Sequence, residues 1–579
     1  MKHIQEVDEM LDMPAQEPIT GSGSNAGGRW NLGTLARQQG LISQTELDYA
    51  LQKQAVEGGL LGNLLVEHGF ATQKEIAQLL ARQRTEGGEF VDVDDLPEPS
   101  ADAMAPFNQS LCLKNGFLPI SVRDGLATVA LGDGSPEHVR DLVQRRTGWD
   151  IRFVQSDFAG IKRAIRQHFY FAANPQETVL QREIRLLEND RDRVYSPEKL
   201  VDHLLNLAVR ERATDIHIAP GVDSRHVLFR IDGVLRPMFA LSPALDRVTS
   251  FIKLCAEMDV AEQRLPQDGS FSREVMDQPF TMRVSTLIAE HGERMVLRLL
   301  PERNALDKLT DLGFLAEDVE ALGPLFSRPS GLILLTGPTG SGKSTTLHAA
   351  LRMQALVERN VLTVEDPVEY RVNSVCQTEV NARSGYTFSN ALRYFLRHDP
   401  DVILVGEIRD AETARAAIDA ASTGHLVLST LHVGSIFGVV PRLKILGMDT
   451  ETIAENLLGV INQRLVRRIC PHCKESVQPT DEERQWLGVD DQEPVRIWRG
   501  RGCDHCRGSG YHGRLPIYEQ LVMDRIMADA VADDVTRGQL RDLAAQQGMR
   551  SIHALARRQV LAGETTVEEI HRAVGNAPQ

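Results

Sequence analysis

The sequence has 579 residues, of which 42% are hydrophobic and 25% charged, and its formal net charge is −16. Single hydrophobic cores stop growing at roughly 250–300 residues, so a chain of this length predicts several domains. The negative charge argues against a nucleic acid as the partner. No run of about 20 apolar residues occurs and the N-terminus has no signal-peptide pattern, so we expect a cytoplasmic protein with at most peripheral membrane contact.

The N-terminal part combines a polar tail with an internal repeat. Residues 1–28 end in a Gly- and Ser-rich run and are predicted to be disordered. Residues 29–85 contain two copies of one pattern, shifted by 29 residues from Leu32 to Leu61. The matching positions are Leu32, Gly33, Gly40 and Gln54, then Leu61, Gly62, Gly69 and Gln83. Each copy is predicted to be a helix, a turn and a second helix, which Ser43 or Thr72 caps.

The remaining chain divides by composition and periodicity. Residues 86–105 are acidic and rich in Pro and Ala, which predicts a linker, and residues 106–170 are predicted to form a small α/β unit. Residues 171–196 carry charges of both signs and predict a solvated helical connector. Strand patterns dominate residues 197–310, a second small α/β domain. Residues 311–579 alternate strand and helix up to about residue 465, which is typical of a parallel sheet wrapped by helices.

A phosphate-binding loop follows the apolar strand 331–336. It matches G-x-x-x-x-G-K-[ST] and leads into a helix-compatible run from Ser344 to Val357. Glycines let backbone N–H groups surround phosphate oxygens, the lysine supplies charge to the β- and γ-phosphates, and the serine hydroxyl binds Mg²⁺. The predicted nucleotide-binding residues are Gly337, Pro338, Thr339, Gly340, Ser341, Gly342, Lys343, Ser344 and Thr345.

Two further apolar strands end in carboxylates. Residues 361–364 lead into Glu365, and residues 402–405 lead into Glu407. In a parallel sheet, ligands bind at the carboxyl ends of the strands, so we expect both acids to lie near the phosphates. One would activate the attacking water and the other would hold water on Mg²⁺.

Four of the seven cysteines form two closely spaced pairs, Cys470 with Cys473 and Cys503 with Cys506. This spacing suits a structural, tetrahedral Zn²⁺ site, whereas a redox function would not explain two pairs. The zinc subdomain is predicted to span residues 468–516. The isolated Cys112, Cys255 and Cys376 are predicted to be buried apolar side chains.

Several ordered motifs resemble those of the secretion ATPase superfamily, which serves type II secretion and type IV pilus assembly. Residues 365–369 resemble its Asp box, residues 406–410 its atypical Walker B motif, and residues 423–432 its His box, which includes His432. The resemblance covers about residues 200 to 520 and includes residues 214–218, 267–269 and 283–286 upstream. The second His-box histidine is followed by Val-Gly-Ser instead of the usual Thr-Asn-Asp.

The resemblance implies an α/β fold, with a small α/β domain hinged to a RecA-like P-loop ATPase core in a homohexamer. Arg283 and Arg298 occupy the positions of arginines that reach the nucleotide phosphates in this family. Arg393 and Arg397 lie in a stretch that resembles another phosphate-reaching segment. The implied partners are inner-membrane platform and cytoplasmic-domain proteins of the machine.

The repeat resembles the cyclic di-GMP-binding module of some of these ATPases. Each unit of that module usually begins with arginine, whereas this chain has Asn31 and Leu60, with Arg29 nearby. The candidate ligand-binding positions are Arg29, Leu32, Gly33, Gln54, Leu61, Gly62 and Gln83. The alternative is a helical docking module whose apolar positions form a core.

We therefore expect a Mg·ATP-hydrolysing hexameric motor for type II secretion or type IV pilus assembly, including pili of the MSHA type. The zinc subdomain disfavours a pilus retraction motor. Two alternatives are a cyclic di-GMP-sensing regulator with little ATP turnover and a nucleic-acid motor, which the net charge of −16 disfavours.

Overall fold

The computed structural model describes residues 32–84, 90–132, 134–190, 195–242, 245–276, 278–301, 308–354, 356–490 and 494–575. The predicted disordered tail, residues 1–28, and Arg29 lie outside the described residues. None of the helices within these ranges is long and apolar enough to cross a membrane.

The N-terminal repeat forms four helices, α1 (Leu32–Gln38), α2 (Gln44–Glu57), α3 (Leu61–Glu67) and α4 (Gln73–Arg84). Ser43 and Thr72 begin the second helix of each copy in the same way. The Ser43 hydroxyl accepts the N–H of Glu46, whose carboxylate accepts the Ser43 N–H at 2.7 Å. Thr72 and Glu75 repeat this reciprocal pair at 3.0 and 2.8 Å. Such a capping box satisfies two N–H groups that a helix start leaves unpaired.

A small α/β unit follows, comprising α5 (Ala101–Met104), α6 (Gln109–Asn115), β1 (Phe117–Arg123), β2 (Leu126–Leu131), α7 (Pro136–Thr147), β3 (Asp150–Gln155) and α8 (Phe158–Ala173). The sheet order is β1-β2-β3, with β1 antiparallel and β3 parallel to β2.

The linker predicted for residues 86–105 is wrong over 90–105, and its first residues, 86–89, lie outside the described ranges. The Val91 N–H donates to the Gln155 carbonyl at 2.9 Å, and Val93 and Leu96 pack on the core of the unit. Composition was misleading here because a few apolar side chains anchor an otherwise acidic segment.

The second small domain contains α9 (Gln176–Asn189), α10 (Glu198–Arg210), β4 (Ala213–Pro220), β5 (Arg225–Ile231), β6 (Val234–Leu241), α11 (Asp246–Cys255), β7 (Gln267–Val275), β8 (Gln278–Ala289) and β9 (Gly292–Pro301). Its antiparallel sheet has the order β6-β5-β4-β9-β8-β7. The predicted solvated connector contains α9, but Leu180 and Leu187 are buried in this domain's core. The helix is therefore amphipathic and packed on one face.

The C-terminal domain is built on a seven-stranded sheet. The strands are β10 (Gly331–Thr336), β11 (Val361–Glu365), β12 (Cys376–Glu379), β13 (Val402–Ile408), β14 (Leu426–Leu431), β15 (Leu457–Ile469) and β18 (Tyr511–Val522). Their order in the sheet is β12-β11-β13-β14-β10-β15-β18, and all neighbouring strands are parallel except β15 and β18. Every residue of β10 is buried, as expected for a central strand covered on both faces.

Helices flank this sheet: α12 (Ala316–Phe326), α13 (Lys343–Leu351), α14 (Phe388–Phe395), α15 (Ala411–Ser422), α16 (Val439–Ile445) and α17 (Thr450–Asn456). The remaining elements are β16 (Lys474–Val477), α18 (Asp481–Leu487), β17 (Ile497–Gly500), α19 (Arg525–Ala532), α20 (Arg537–Gln546), α21 (Ile552–Leu561) and α22 (Val567–Val574). The helix after the phosphate loop is shorter than the predicted run to Val357. It ends because the N–H groups of residues 352–354 donate to the carbonyl oxygens three positions earlier instead of four.

The N-terminal repeat packs directly on the C-terminal domain. Leu65 and Phe70 belong to the same hydrophobic cluster as Leu347 of α13. His68 Nδ1 lies 2.9 Å from the Ser374 hydroxyl, which adds a polar contact. The repeat is therefore joined to the helix that follows the phosphate loop.

Candidate functional site

The phosphate loop connects β10 to α13 at the carboxyl edge of the sheet. Gly337, Gly340 and Gly342 have φ angles of 142°, 75° and 86°, a region that L-residues with side chains avoid. A Cβ at Gly337 would stand 2.4 Å from the Gln463 carbonyl oxygen. The loop therefore needs glycine at Gly337 for both its conformation and its close packing.

The remaining loop residues present a partly open surface. Pro338, Thr339, Gly340 and Ser344 are exposed, Thr345 is half-buried, and Ser341 is buried. Ser344 lies in the first turn of α13, where backbone N–H groups and the helix dipole favour an anion. The predicted phosphate and magnesium contacts thus lie beside one another on an accessible helix start.

Lys343 is folded over the loop. Its Nζ donates to the carbonyl oxygens of Gly337 at 3.0 Å and Pro338 at 2.9 Å. Burial lowers the pKa of Lys343, and the Arg464 cation acts in the same direction, while the Glu407 carboxylate opposes both. The ammonium group would have to leave these carbonyls to contact a phosphate.

Gln463 of β15 supports the phosphate loop through two side-chain hydrogen bonds. This residue was not predicted from the sequence. Its Nε2 donates to the Ser341 carbonyl at 2.7 Å, and its Oε1 accepts the Thr346 hydroxyl at 2.9 Å. The side chain is 2% exposed. Nothing in the sequence marks this residue, because its role depends on β15 lying next to β10.

Glu365 ends β11 and is 4% exposed. Its Oε1 accepts the Thr363 hydroxyl at 2.7 Å and the Gln377 amide at 3.2 Å, while Oε2 lies 3.0 Å from His348 Nε2. Burial would raise the pKa of Glu365, but the contacts with His348, Thr363 and Gln377 together outweigh it and lower the pKa. The carboxylate is therefore ionised and enclosed by protein groups.

Glu407 lies in β13, at the same edge of the sheet. Its carboxylate pairs with Arg409 and lies 3.1 Å from His432 Nε2. The side chain of His432 is 47% exposed, and that of Glu407 is 14% exposed. Glu407 and His432 are therefore in contact at the edge of the sheet where the phosphate loop lies.

The four candidate arginines fall into different environments. Arg283 Nη2 reaches from β8 to Asp366 Oδ1, 3.6 Å away and next to Glu365 in the chain. Arg298 Nε instead donates to Asp215 Oδ1 of its own domain at 3.0 Å. Arg393 and Arg397 are exposed, and neither forms an ion pair with the described residues. Only Arg283 of these four contacts the sequence around Glu365.

The four paired cysteines come together at one point. Their Sγ atoms all lie within 4.8 Å of one another, and they are the group of cysteine, histidine and acidic residues that could hold a metal ion in the described chain. N–H groups of Gly502 and Gly510 point at the sulfurs of Cys473 and Cys506, at 3.3 and 3.2 Å. Such donors stabilise thiolates, the form that binds Zn²⁺.

The isolated cysteines are not all buried. Cys112 is buried as predicted, whereas Cys255 is half-buried and Cys376 is exposed. Cys376 begins β12, the strand at one edge of the sheet. Isolation in the sequence therefore did not by itself predict burial.

The candidate cyclic di-GMP positions are partly used for helix packing. A Cβ at Gly33 would lie 2.7 Å from Leu47 Cδ1, and one at Gly62 would lie 2.9 Å from Ile76 Cγ2. Gln54 donates to the Gly59 carbonyl at 2.9 Å, and Leu32 and Leu61 pack against the cluster shared with the C-terminal domain. Arg29 and the side chain of Gln83 lie outside the described residues.

The sequence is similar to known protein families and to individual relatives. Residues 191–572 match the family model described as "Type II/IV secretion system protein", and residues 87–175 match the MshEN domain. The type IV pilus assembly ATPase PilB of Thermus thermophilus is 36% identical over 493 residues, which cover 82% of this chain and 55% of that protein. The chain thus spans about half the length of that relative.

Two further similarities concern a secretion protein and a solved structure. The type II secretion system protein E of Pseudomonas aeruginosa is 44% identical over 375 residues, 65% of this chain and 74% of that protein. The X-ray structure of the ATPase DotB of Legionella pneumophila is 22% identical, with a TM-score of 0.47, over 66% of this chain and 96% of that one. With a family model matched over residues 191–572, the chain belongs to the type II/IV secretion system protein family.

Proposed function

We propose that the chain is an ATPase that hydrolyses Mg·ATP and powers type II secretion or type IV pilus assembly. The observation that carries this proposal is the placement of Glu365 and Glu407 on the same sheet edge as the loop of Lys343. A phosphate loop alone binds nucleotide, whereas hydrolysis also needs groups that orient water. Glu407 lies on β13 and Glu365 on β11. These are the second and third strands from β10 in the sheet, because β14 lies between β10 and β13.

The protein groups divide the work in the proposed reaction. Loop N–H groups and Lys343 bind the phosphates, and the Ser344 hydroxyl is the metal ligand of the loop. Bound Mg²⁺ supplies charge neutralisation at the β- and γ-phosphate oxygens. We assign Glu365 to activation of the attacking water and Glu407 to binding of a water in the metal's coordination shell. The two roles could be exchanged between these acids. His432 orients Glu407 through the 3.1 Å contact.

The arginines complete the proposed site when the two domains close. Arg283 already contacts Asp366, which follows Glu365 in the chain, and domain closure would carry its guanidinium to the phosphates. Arg298 must first leave Asp215. The planar fork of arginine suits γ-phosphate charge at a closing interface. Arg393 and Arg397 are exposed and would serve a nucleotide held by a neighbouring subunit of the proposed homohexamer.

The names of two relatives, one a pilus assembly ATPase and one a type II secretion protein, support the choice of machine in this proposal. We propose a cytoplasmic hexamer that acts at the inner membrane through platform and cytoplasmic-domain partner proteins. The net charge of −16 supports protein partners rather than a nucleic acid.

We propose that Cys470, Cys473, Cys503 and Cys506 hold a structural Zn²⁺. Burial opposes ionisation of Cys506, but N–H groups of Cys503 and Gly510, together with the side chains of Cys503 and Cys473, outweigh it and lower its pKa to about 7. A closed set of four sulfurs offers no open position for catalysis.

For the N-terminal repeat, we propose a docking function in preference to cyclic di-GMP sensing. The packing of Gly33 and Gly62 against Leu47 and Ile76, together with the cluster shared with α13, supports this choice. Titration of the full chain with cyclic di-GMP tests it, and saturable binding at micromolar concentrations would favour the sensor instead.

Steady-state hydrolysis of Mg·ATP by the purified full chain tests the proposed activity. Glu365→Gln and Glu407→Gln should each lower the rate, by about a hundredfold for the residue that acts as general base. Glu412→Gln, an exposed acid in the first turn of α15, is the matched control and should leave the rate unchanged. Equal rates for all four proteins would refute the proposal.

A further inference from the structure

The side chain of Gln377 reaches from the edge strand β12 to the proposed catalytic acid. In the parallel register, Gln377 lies opposite Thr363 of β11. Thr363 and Glu365 are two positions apart on that strand, so their side chains lie on the same face of the sheet. Gln377 Nε2 donates to Glu365 Oε1 at 3.2 Å, and the Thr363 hydroxyl donates to the same oxygen at 2.7 Å. Two neighbouring strands therefore hold one oxygen of the carboxylate.

The same amide closes the segment between β11 and β12. Gln377 Nε2 also donates to the Tyr370 carbonyl oxygen at 2.7 Å, and Gln377 Oε1 accepts the Val372 N–H at 2.9 Å. A flipped amide would place its oxygen against two acceptor oxygens and its NH₂ group against an N–H, so these partners fix its orientation. The side chain thus uses both of its donor hydrogens and its acceptor oxygen at once.

Tyr370 extends this contact to the phosphate-loop helix. Its hydroxyl donates to the Thr345 hydroxyl in the first turn of α13 at 3.1 Å. Its ring is buried, with its centroid 4.9 Å from that of His348 in the same helix. Tyr370 is therefore attached to α13 through its side chain and to Gln377 through its carbonyl. One amide thus fixes the Glu365 carboxylate relative to the phosphate-loop helix.

The hydrogen bonds at Oε1 determine which oxygen of Glu365 can meet water. An ionised carboxylate oxygen offers about two lone-pair sites, and at Oε1 the Thr363 hydroxyl and the Gln377 amide fill both. Oε2 lies 3.0 Å from His348 Nε2, which leaves its second site for a hydrogen of water. A general base must lie within hydrogen-bond reach of the water that it deprotonates. Oε2 is therefore the oxygen of Glu365 that has to face the attacking water.

We propose that Gln377 is a positioning residue, which holds Glu365 in the orientation from which Oε2 accepts a hydrogen of the attacking water. This inference rests on the proposed ATPase function. Gln377 acts through Glu365 and not on the reacting atoms. Without the amide, the carboxylate is free to rotate about its terminal bond, and the segment that contains Tyr370 and Val372 loses two hydrogen bonds.

Steady-state hydrolysis of Mg·ATP by the full chain tests the role of Gln377. Gln377→Met keeps the length of the side chain and removes its amide. Because a displacement of about 1 Å can cost about a hundredfold in rate, kcat should fall by about tenfold to a hundredfold with KM nearly unchanged.

A neighbouring residue of β12 provides the matched control. The Thr378 hydroxyl donates to the Thr363 carbonyl oxygen at 2.8 Å and accepts the Tyr386 hydroxyl at 3.0 Å. Thr378→Val therefore removes two hydrogen bonds from the same strand and none from the Glu365 carboxylate. This variant should keep the wild-type kcat.

A double variant distinguishes positioning of Glu365 from a general loss of stability. If Gln377 acts through Glu365, adding Gln377→Met to Glu365→Gln should cause little further loss of kcat. A merely structural role would multiply the two losses instead. Multiplied losses, an unchanged kcat in Gln377→Met or a change in KM alone would each overturn the proposal.

Hydrogen exchange tests the same contacts without requiring hydrolysis. Gln377→Met deprives the Val372 N–H of its acceptor, so peptides within residues 366–375 should exchange faster than in wild type and in Thr378→Val. Faster exchange in this variant, together with a wild type that hydrolyses no ATP, would refute the proposed function alone. Unchanged exchange would show that Gln377 does not hold this segment, and the positioning role would be refuted.

Discussion

Arg352 and Glu75 form an ion pair that joins the end of the phosphate-loop helix to the N-terminal repeat. Arg352 Nη1 lies 2.9 Å from Glu75 Oε2, and Nη2 donates to the Phe70 carbonyl at 2.9 Å. Both side chains of the pair are less than a tenth exposed. Because α13 begins at Lys343 and Arg352 directly follows its last residue, one helix connects the proposed nucleotide site to the docked repeat.

Replacing Glu75 by Gln should weaken the docking of the repeat. The amide still caps α4 at Thr72, because glutamine also serves in a capping box, but Arg352 and Lys308 lose their anionic partner. Removing one member of a buried ion pair costs about 3–5 kcal/mol. Hydrogen exchange of α3 and α4 should show a local opening free energy that is lower by this amount.

An exposed pair provides the control for this variant. Glu57 pairs with Lys53 at 3.2 Å on the surface of α2, and exposed pairs contribute little to stability, so Glu57→Gln should leave the same opening free energy nearly unchanged. Equal effects of the two variants would contradict the role of Glu75.

Docking of the repeat should also depend on acidity. Burial would raise the pKa of Glu75, but the Arg352 and Lys308 cations outweigh it and lower the pKa. A lowered carboxyl pKa contributes stability above the unfolded value of about 4.3 and loses it as pH falls through the folded value. After correction for the intrinsic rate, hydrogen exchange of α4 should therefore accelerate as the pH falls below about 4.3. Glu75→Gln should abolish this dependence on pH.

Gln463 should determine how well the phosphate loop binds nucleotide. Gln463→Ala leaves the Ser341 carbonyl and the Thr346 hydroxyl without their partner in a buried site. An unsatisfied buried polar group costs about 1–3 kcal/mol, so we expect the Kd for ATP to rise about tenfold or more. Fluorescent-nucleotide titration measures this, with exposed Gln485→Ala as the control. Unchanged affinity would show that the loop keeps its shape without Gln463.

The cysteine cluster should bind one zinc ion per chain. Cys506→Ser removes a ligand that accepts N–H groups of Cys503 and Gly510, and metal analysis should show loss of zinc. The exposed Cys376→Ser should retain the full zinc content. Because metal binding is coupled to folding, a chelator should lower Tm in wild type but have little effect on Cys506→Ser. A zinc-free wild-type protein would contradict the assignment.

Local patterns predicted the parts of the site that are contiguous in sequence. The loop from Gly337 to Ser344 follows from an apolar strand, glycines and a helix start, all within a short segment. Gln463 and His348 could not be found in this way. Their roles depend on β15 lying beside β10 and on β11 facing α13, and both relationships arise only when distant segments pack.

The same limit applies between domains. The repeat was visible in the sequence, but its docking through Glu75 and Arg352 joins residues 277 positions apart. The linker prediction was wrong over residues 90–105 for a local reason. The segment is acidic overall, but a few of its apolar side chains, such as Val93, pack on the core of the small α/β unit. Composition describes the exposed face of such a segment and is insensitive to the few side chains that fix it.

Arg283 should contribute more to the rate of ATP hydrolysis than Arg298, the other candidate arginine of the small domain. It already contacts Asp366 across the domain boundary, whereas Arg298 is held by Asp215. Arginines that neutralise transition-state charge contribute about 10³–10⁵ in kcat, so Arg283→Gln should lower kcat by at least the lower end of this range with a smaller change in KM. Arg225→Gln, which breaks an ion pair with Asp246 in the same domain, controls for loss of stability. If Arg283→Gln changed KM alone, Arg283 would bind nucleotide without assisting the reaction, and Arg298 would be the arginine to test next.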